Sequence, residues 1–544
     1  MKIEIKAVQV KRGLGWFNML TLALVLVSCT QVAAPAPVEP AQEEAAPAKP
    51  TAAAPATEAP AATEEAPVKL VIGVHSDIST LDIHNEPTTN FSQLQQSTEG
   101  LFQFDSKLQL QPGLALSWKL VDPLTWEFSL RKGVKFHNGD DFTAKDVKWS
   151  LERIMAVGAE SGPRKGYVGW LGAIEVIDAH TVRILTSIPF PAAVRNLATY
   201  RFVLSQNYFE KVGATEFAEN PVGTGPYKVV SWNVNETLEL DAFTDYWGGK
   251  PAIDKVVFRV IPDESTRVAE MLAGGVDILP DVPPTRAQEL LTAGVPVFST
   301  PSVLNFYVGM NTFEKPFDDP KVRLAVAHAV DVNEIVKALL SGYGTAANSI
   351  VHSTSFGWNS ALQPFPYDPA KAKQLLAEAG FPNGFSTTIE AGTGVWPITR
   401  ETAEALGGYL SAVGIKADVK VYEWANYFAM YREKKLLGVH LWGNLSPGLD
   451  PDAHVHLNFR CPPTGRGLYF CSEETDKLII SGRSEMDVAK RQQIYGELQD
   501  VFQKNIGAVP LWQYHQVAAV SKRLKWLPKG DFYIDAFAVE IANP

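Results

Sequence analysis

Cysteine is nearly absent from this chain, with three in 544 residues. Cys29 ends an N-terminal apolar stretch, while Cys461 and Cys471 bracket the loop-like segment Pro462–Gly467. So few thiols exclude a disulfide-dense small scaffold. Neither a second cysteine pair nor a suitably spaced histidine pair accompanies them, which removes the usual zinc site. Two readings of Cys461 and Cys471 remain: a disulfide in an oxidising compartment, or two reduced buried thiols. Gly-x-Ser-x-Gly, His-Glu-x-x-His and Gly-x-x-x-x-Gly-Lys are all missing, so no motif argues for a secreted hydrolase, a zinc protease or a phosphate-binding loop. The carboxylate pairs Asp140-Asp141 and Asp318-Asp319 fall at helix starts, where capping and the helix dipole explain them. Beyond Val27 no run is long and apolar enough to span a bilayer. Positive charge is also in deficit, with 49 Lys and Arg against 60 Asp and Glu. Lys2, Glu4, Lys6, Lys11 and Arg12 sum to +3 of a formal −11, which leaves the rest near −14, a poor partner for nucleic acid.

What is present begins with an export signal. Lys2, Lys6, Lys11 and Arg12 form a basic region before the apolar Leu14–Val27 stretch. It ends in Leu26-Val27-Ser28-Cys29, which resembles a bacterial lipobox and implies residues 1–29 as a lipoprotein signal peptide with Cys29 lipidated. Acyl chains contribute about 0.8 kcal/mol per buried methylene, so two or three hold a protein at a membrane surface. Residues 30–67 are almost wholly Ala, Pro, Glu and Thr, with no aromatic residue. Such a segment cannot bury enough surface to offset its ordering entropy, and its prolines make it a semi-stiff leash reaching on the order of 100 Å.

About 475 residues follow, too many for one hydrophobic core. Strand patterns and strong helices alternate, as in mixed α/β lobes. Trp126, Phe128 and Leu130 fall on one face of a strand, Gly133 allows a turn into a second short strand at Val134–Phe136, and Asn138-Gly139 is a turn dipeptide. Thr143 is placed to cap a helix carrying Val147, Trp149 and Leu151. Asp319-Pro320, Asp331 and Asp368-Pro369 each open a helix, Gly380 ends the last, and a further helix is expected near Asp487–Lys504.

The residues from Trp126 to Val147 closely resemble the signature of the family 5 extracytoplasmic solute-binding proteins, the peptide, nickel and oligosaccharide receptors of ABC importers. Asn220–Tyr227, Asp245-Tyr246-Trp247, Asp319–Ala325, Asp476–Ile479 and Val509-Pro510-Leu511 are similar to further family elements, so the resemblance covers almost all of the folded body. It implies a two-lobed α/β fold like that of periplasmic binding proteins (type II, cluster C-like), closing on a ligand by a hinge. The first lobe would span 68–300, with an extra subdomain at about 101–218, the second 301–514, and 515–544 would return to the first. The resemblance further implies a monomer without cofactor or catalysis, located outside the cytoplasm, that delivers a small solute to importer permease subunits. A receptor that reports its ligand to a membrane sensor fits the same sequence.

In family members that bind peptides, an acidic residue before an Asp-Pro-Asp-like segment anchors the peptide amine. Setting Asp450-Pro451-Asp452 on that segment puts Pro447 at the anchor position. The loop where some dipeptide receptors place an arginine reads Gly392–Pro397, without a cation. Both departures point to a ligand without charged termini, an oligosaccharide or a peptide held by its backbone, because a buried charge needs a partner. The same loops offer Trp396, Trp424, Tyr427 and Trp442, with Gly443 and Asn444 beside them, as flat apolar surface edged with polar groups. These aromatics fit equally the core or the rim of a lobe. Opposite them, His75-Ser76-Asp77 after the first strand are expected contacts, or a plain strand-end turn. His454 and His456, at i, i+2, are poorly spaced for one metal ion, so no metal ligands are assigned.

Overall fold

A computed structural model describes residues 67–86, 92–157, 168–199, 201–461, 467 and 469–542. Cys29 and all but the last residue of the 30–67 stretch lie outside these residues. Local signals close the helices where they were read. Asp319, Asp331 and Asp368 accept from the backbone N–H groups of Lys321, Glu334 and Lys371 at 2.8, 3.0 and 2.8 Å. They start the helices Pro320–Ala329, Val332–Leu339 and Pro369–Glu378. Thr143 N–H and Oγ1 both donate to Asp146 Oδ2, at 2.9 and 3.0 Å, at the head of helix Ala144–Val157. Asp487 likewise caps Val488–Asn505. The expected Val134–Phe136 strand is reduced to one bridge, Lys135 to Asp141. The turn at Gly139 (φ 90°) folds the segment back before a ladder can grow.

One large sheet carries the body. Its strands, numbered along the chain, are β1 Lys69–Val74, β2 Tyr227–Asn233, β3 Thr237–Ala242, β4 Lys255–Val260, β5 Ile278–Leu279, β6 Val297–Met310, β7 Gly344–Ala346, β8 Phe385–Thr393, β9 Ile415–Glu423, β10 Val439–Leu445 and β11 Val509–Val520. The order is β9-β8-β10-β6-β11-β5-β1-β4-β3-β2, with β7 on β11. β1 runs parallel to β4 and β5, and β8 parallel to β9 and β10. The antiparallel pair β6 and β11 joins the two groups. Val297–Pro301 pairs with Ala519–His515, Asn305–Val308 pairs with Gln513–Val509, and the register breaks between Pro301 and Asn305. A break in the ladder that joins the two groups is a natural place for bending.

Period-2 alternation sorts β6 and β10 onto two faces. Leu304, Phe306, Val308 and Met310 enter one apolar core with Leu441 and the helices Pro320–Ala329 and Thr399–Ala412. Tyr307 and Trp442 enter an aromatic core on the other face, under the helices Trp424–Arg432, Asp452–Phe459 and Val488–Asn505. In the other half, Ala115–Asp122, Thr125–Leu130, Thr181–Thr186 and Leu171–Asp178 form a separate antiparallel sheet in that order. Its strand Thr125–Leu130 buries Trp126, Phe128 and Leu130 on the expected face.

Candidate functional site

Parallel strands leave a crevice beyond their carboxyl ends when neighbours part, and ligands of α/β sheets bind in such crevices. β8 and β10 pair only at Ile389–Val439 and Glu390–His440, then separate. Tyr427 plugs the split. Its hydroxyl donates to the Leu441 carbonyl at 2.7 Å and lies 3.3 Å from that of Glu390, so it links carbonyls of the two diverging strands. Glycine is required beside it, since a Cβ on Gly392 would lie 2.5 Å from the Tyr427 ring and 2.9 Å from that of Trp424. Gly443 plays the same part for Trp396, whose indole lies 3.0 Å from where a Cβ would stand. Trp424 sits edge-on to Trp396 with centroids 5.9 Å apart, stacks on Phe428 at 5.9 Å, and leans on Trp442 at 5.6 Å. Tyr431 stacks on the Trp442 ring at 4.0 Å.

The expected aromatic residues are therefore brought together, but at two depths. Tyr427 (0 % exposed) and Trp442 (7 %) form the floor. Trp396, Trp424 and Phe428 keep part of their surface open. Trp396 Nε1 is buried and has no acceptor among the described residues, so one donor remains uncommitted. Asn444, buried on β10, accepts from Ser446 Oγ at 3.2 Å and pairs in register with Asn305, whose Oδ1 has no donor among the described residues. Phe428, Tyr431 and Asn305 were not singled out from the sequence. Phe428 and Tyr431 lie i+4 and i+7 from Trp424 on the same helix, a spacing that could have found them.

In the other half, His75-Ser76-Asp77 follow the carboxyl end of β1. His75 is exposed. Asp77 is engaged in scaffolding: it accepts from Trp232 Nε1 at 3.0 Å and from the Asn235 N–H at 2.7 Å, tying β1 to the β2–β3 turn. The Ser76 carbonyl accepts from Gln93 Nε2 at 3.1 Å, and Gln93 Oε1 is buried without a donor among the described residues.

The segment after β10 meets the other half at a charged seam. Asp450 accepts two hydrogen bonds from Arg491, at 2.7 and 2.8 Å, both groups being buried. Burial pushes the Asp450 carboxyl up, and Arg491's charge and hydrogen bonds outweigh it, holding the group below its ordinary range. Asp452 receives one bond from Arg483, at 2.7 Å, while its Oδ1 has no partner among the described residues. There burial wins over the charge of Arg483, and the carboxyl is pushed up to about 6. Arg483 also lies over the ring of Phe190 at 5.0 Å. A Cβ on Gly448 would stand 3.3 Å from Thr199 Oγ1, and Leu449 is buried among the apolar residues of the first half. Pro447, at the expected amine-anchor position, offers no charge, and both nearby aspartates are committed to arginines.

His454 and His456 lie on the helix Asp452–Phe459 rather than on a strand. Burial pushes them down to about 3 and about 4. Among the described residues no three His, Cys, Asp or Glu side chains stand together as a metal would need. Cys461 and Cys471 are joined by a disulfide with Cα atoms 5.2 Å apart. Mass spectrometry of non-reduced peptides should recover the linked pair, and Cys471→Ser should lower stability by about 2–3 kcal/mol, the chain-entropy value for so short a loop. Two freely alkylated thiols in the native protein would exclude the bond.

Comparison with known proteins agrees with this geometry. A family model described as bacterial extracellular solute-binding proteins, family 5 middle, matches residues 109–466. The glutathione-binding protein GsiB of Escherichia coli K12 is 31 % identical over 471 residues, which cover 84 % of this chain and 91 % of that protein. Among solved structures, the periplasmic binding protein DppA of Helicobacter pylori in complex with the peptide STSA matches 87 % of this chain and 98 % of its own, with a TM-score of 0.73 and 29 % identity. The dipeptide-binding protein of Pseudoalteromonas sp. SM9913 in complex with Met-Leu matches 87 % and 100 %, with a TM-score of 0.74 and 26 % identity.

Proposed function

The chain belongs to the family 5 bacterial extracellular solute-binding proteins, and from that premise we propose that it captures a peptide between its two lobes and hands it to the permease of an ABC importer. The half-open aromatic surface of Trp396, Trp424 and Phe428, set at the parting of β8 and β10, supports this reading most. A flat apolar face of this kind suits a peptide side chain. Relatives named for glutathione, a tetrapeptide and a dipeptide support the same class.

In this reading the first lobe is 68–300 with 515–544, carrying an inserted subdomain at about 101–218, and the second is 301–514. β6 and β11 are the hinge, bending at the register break near Pro301. The protein works as a monomer, without cofactor and without breaking a bond. A lipid on Cys29 and the 30–67 leash keep it near the membrane, outside the cytoplasm. Cys29→Ala should abolish lipid labelling and move the protein to the soluble fraction, and persistence in the membrane fraction would contradict the anchor. For the ligand class, a peptide at a hundred times its Kd should raise stability by about 2.7 kcal/mol in a thermal shift assay. Stabilisation by neutral oligosaccharides and by no member of a di- to pentapeptide panel would overturn the peptide reading.

A further inference from the structure

Five charges crowd the seam between the lobes. Asp450 and Asp452 come from the segment after β10, Arg483 and Arg491 from the second lobe's helices, and Arg195 from the first-lobe helix Ala193–Thr199. The two aspartates are each taken by an arginine of their own lobe. Arg195 is half-buried, and among the described residues no hydrogen bond or ion pair reaches its guanidinium. Among the described residues, three arginines against two aspartates leave these five groups one positive charge in excess. The neighbours of Arg195 on its own helix, Asn196 and Thr199, face Gly448, so the helix that carries this cation packs against the segment that follows β10.

We infer that Arg195 receives a carboxylate of the bound peptide, its C-terminus or an acidic side chain, when the lobes close. A guanidinium presents a planar fork of donors that matches a carboxylate, and a partly desolvated one without an acceptor gains most from such a partner. Burial depresses the Arg195 pKa, Asp450 opposes that effect and Arg491 adds to it. The charge of an incoming anion offsets both the cost of burial and the repulsion from Arg491. The competing role for the same residue is a latch, attracted across the seam to Asp450 and indifferent to what is bound.

The inference rests on the peptide reading, so its test keeps the two apart. The full chain is equilibrated with a tryptic digest of casein and with the same digest after its carboxyl groups are converted to methylamides, and retained peptides are counted by mass spectrometry. Wild type should hold the free-carboxyl peptides about 10- to 100-fold more tightly, the range of a hydrogen-bonded charged group, and their retention should fall with added salt. Arg195→Ala should erase that preference, and Arg195→Lys should restore part of it. Equal retention of both digests by wild type overturns the carboxylate contact and leaves the peptide reading standing. Equal weakening of both digests by Arg195→Ala makes the residue a latch and also overturns the contact. Retention of neither digest by wild type removes the peptide reading, and the contact with it.

Discussion

Replacing Arg491 with methionine should lower the stability of this protein by about 3–5 kcal/mol, because it strands a buried carboxylate whose two charge-assisted bonds it removes. Arg491 is the direct partner of Asp450, holding both oxygens at 2.7 and 2.8 Å. The double variant Arg491→Met, Asp450→Asn should recover much of that loss, since the uncompensated charge is then gone. Urea unfolding of the two variants measures the difference. The pH dependence has a definite sign. A carboxyl held below its ordinary value stabilises the fold at pH values above its unfolded pKa, and that contribution disappears as pH falls through the lower, folded pKa. Asp450 is such a group, so the penalty of Arg491→Met should be full at pH 7 and shrink on acidification below about 4. A penalty that is the same at pH 3 and pH 7 would mean that packing of the arginine stem, not charge, is what the variant loses.

Trp442→Ala and Trp424→Ala should fail in different ways. Trp442 is nearly enclosed, stacked on Tyr431 at 4.0 Å and covered by Trp424. Emptying that volume should cost about 3–5 kcal/mol of stability, the range for a large aromatic residue in a core. Trp424 stands at the half-open edge of the same cluster. Its loss should weaken peptide binding by about 1–3 kcal/mol, as for an aromatic anchor, with a smaller effect on unfolding. Calorimetric titration and thermal melting of each variant separate the two outcomes. Normal peptide binding by Trp424→Ala would place the ligand surface elsewhere.

Much of the fold was legible because it is written locally. Aspartate before proline or before an apolar stripe marks a helix start wherever it occurs, and Asp319, Asp331 and Asp368 all cap helices here. The alternation Trp126, Phe128, Leu130 found a strand and its buried face. The single sheet that runs through both lobes was not legible, because pairing β6 with β11 joins segments about 200 residues apart and leaves no local trace. The candidate site was half legible. Indoles near Gly392 and Gly443 were expected to gather, and they do, but which of them keep open surface depends on how β8 and β10 part. Asp77 illustrates the limit, since its carboxylate is consumed by Trp232 and Asn235, residues about 155 positions away. Of the seam, the sequence shows only the two aspartates of Asp450-Pro451-Asp452, without their partners. Arg491 falls in the helix expected near Asp487–Lys504, and Arg483 and Arg195 drew no notice, because net charge at a point is a property of the assembled lobes.

A peptide captured between two lobes that hinge on β6 and β11 must hold them at a fixed separation. Lys145 and Lys373 are exposed, one on a first-lobe helix and the other on a second-lobe helix, so spin labels on Lys145→Cys and Lys373→Cys in a Cys29→Ser background report the separation of the lobes. Pulsed electron resonance with and without the casein digest should show a broad distance distribution collapsing to a narrower, shifted one when peptide is added. A distribution unchanged by peptides that calorimetry shows to be bound would contradict closure about this hinge.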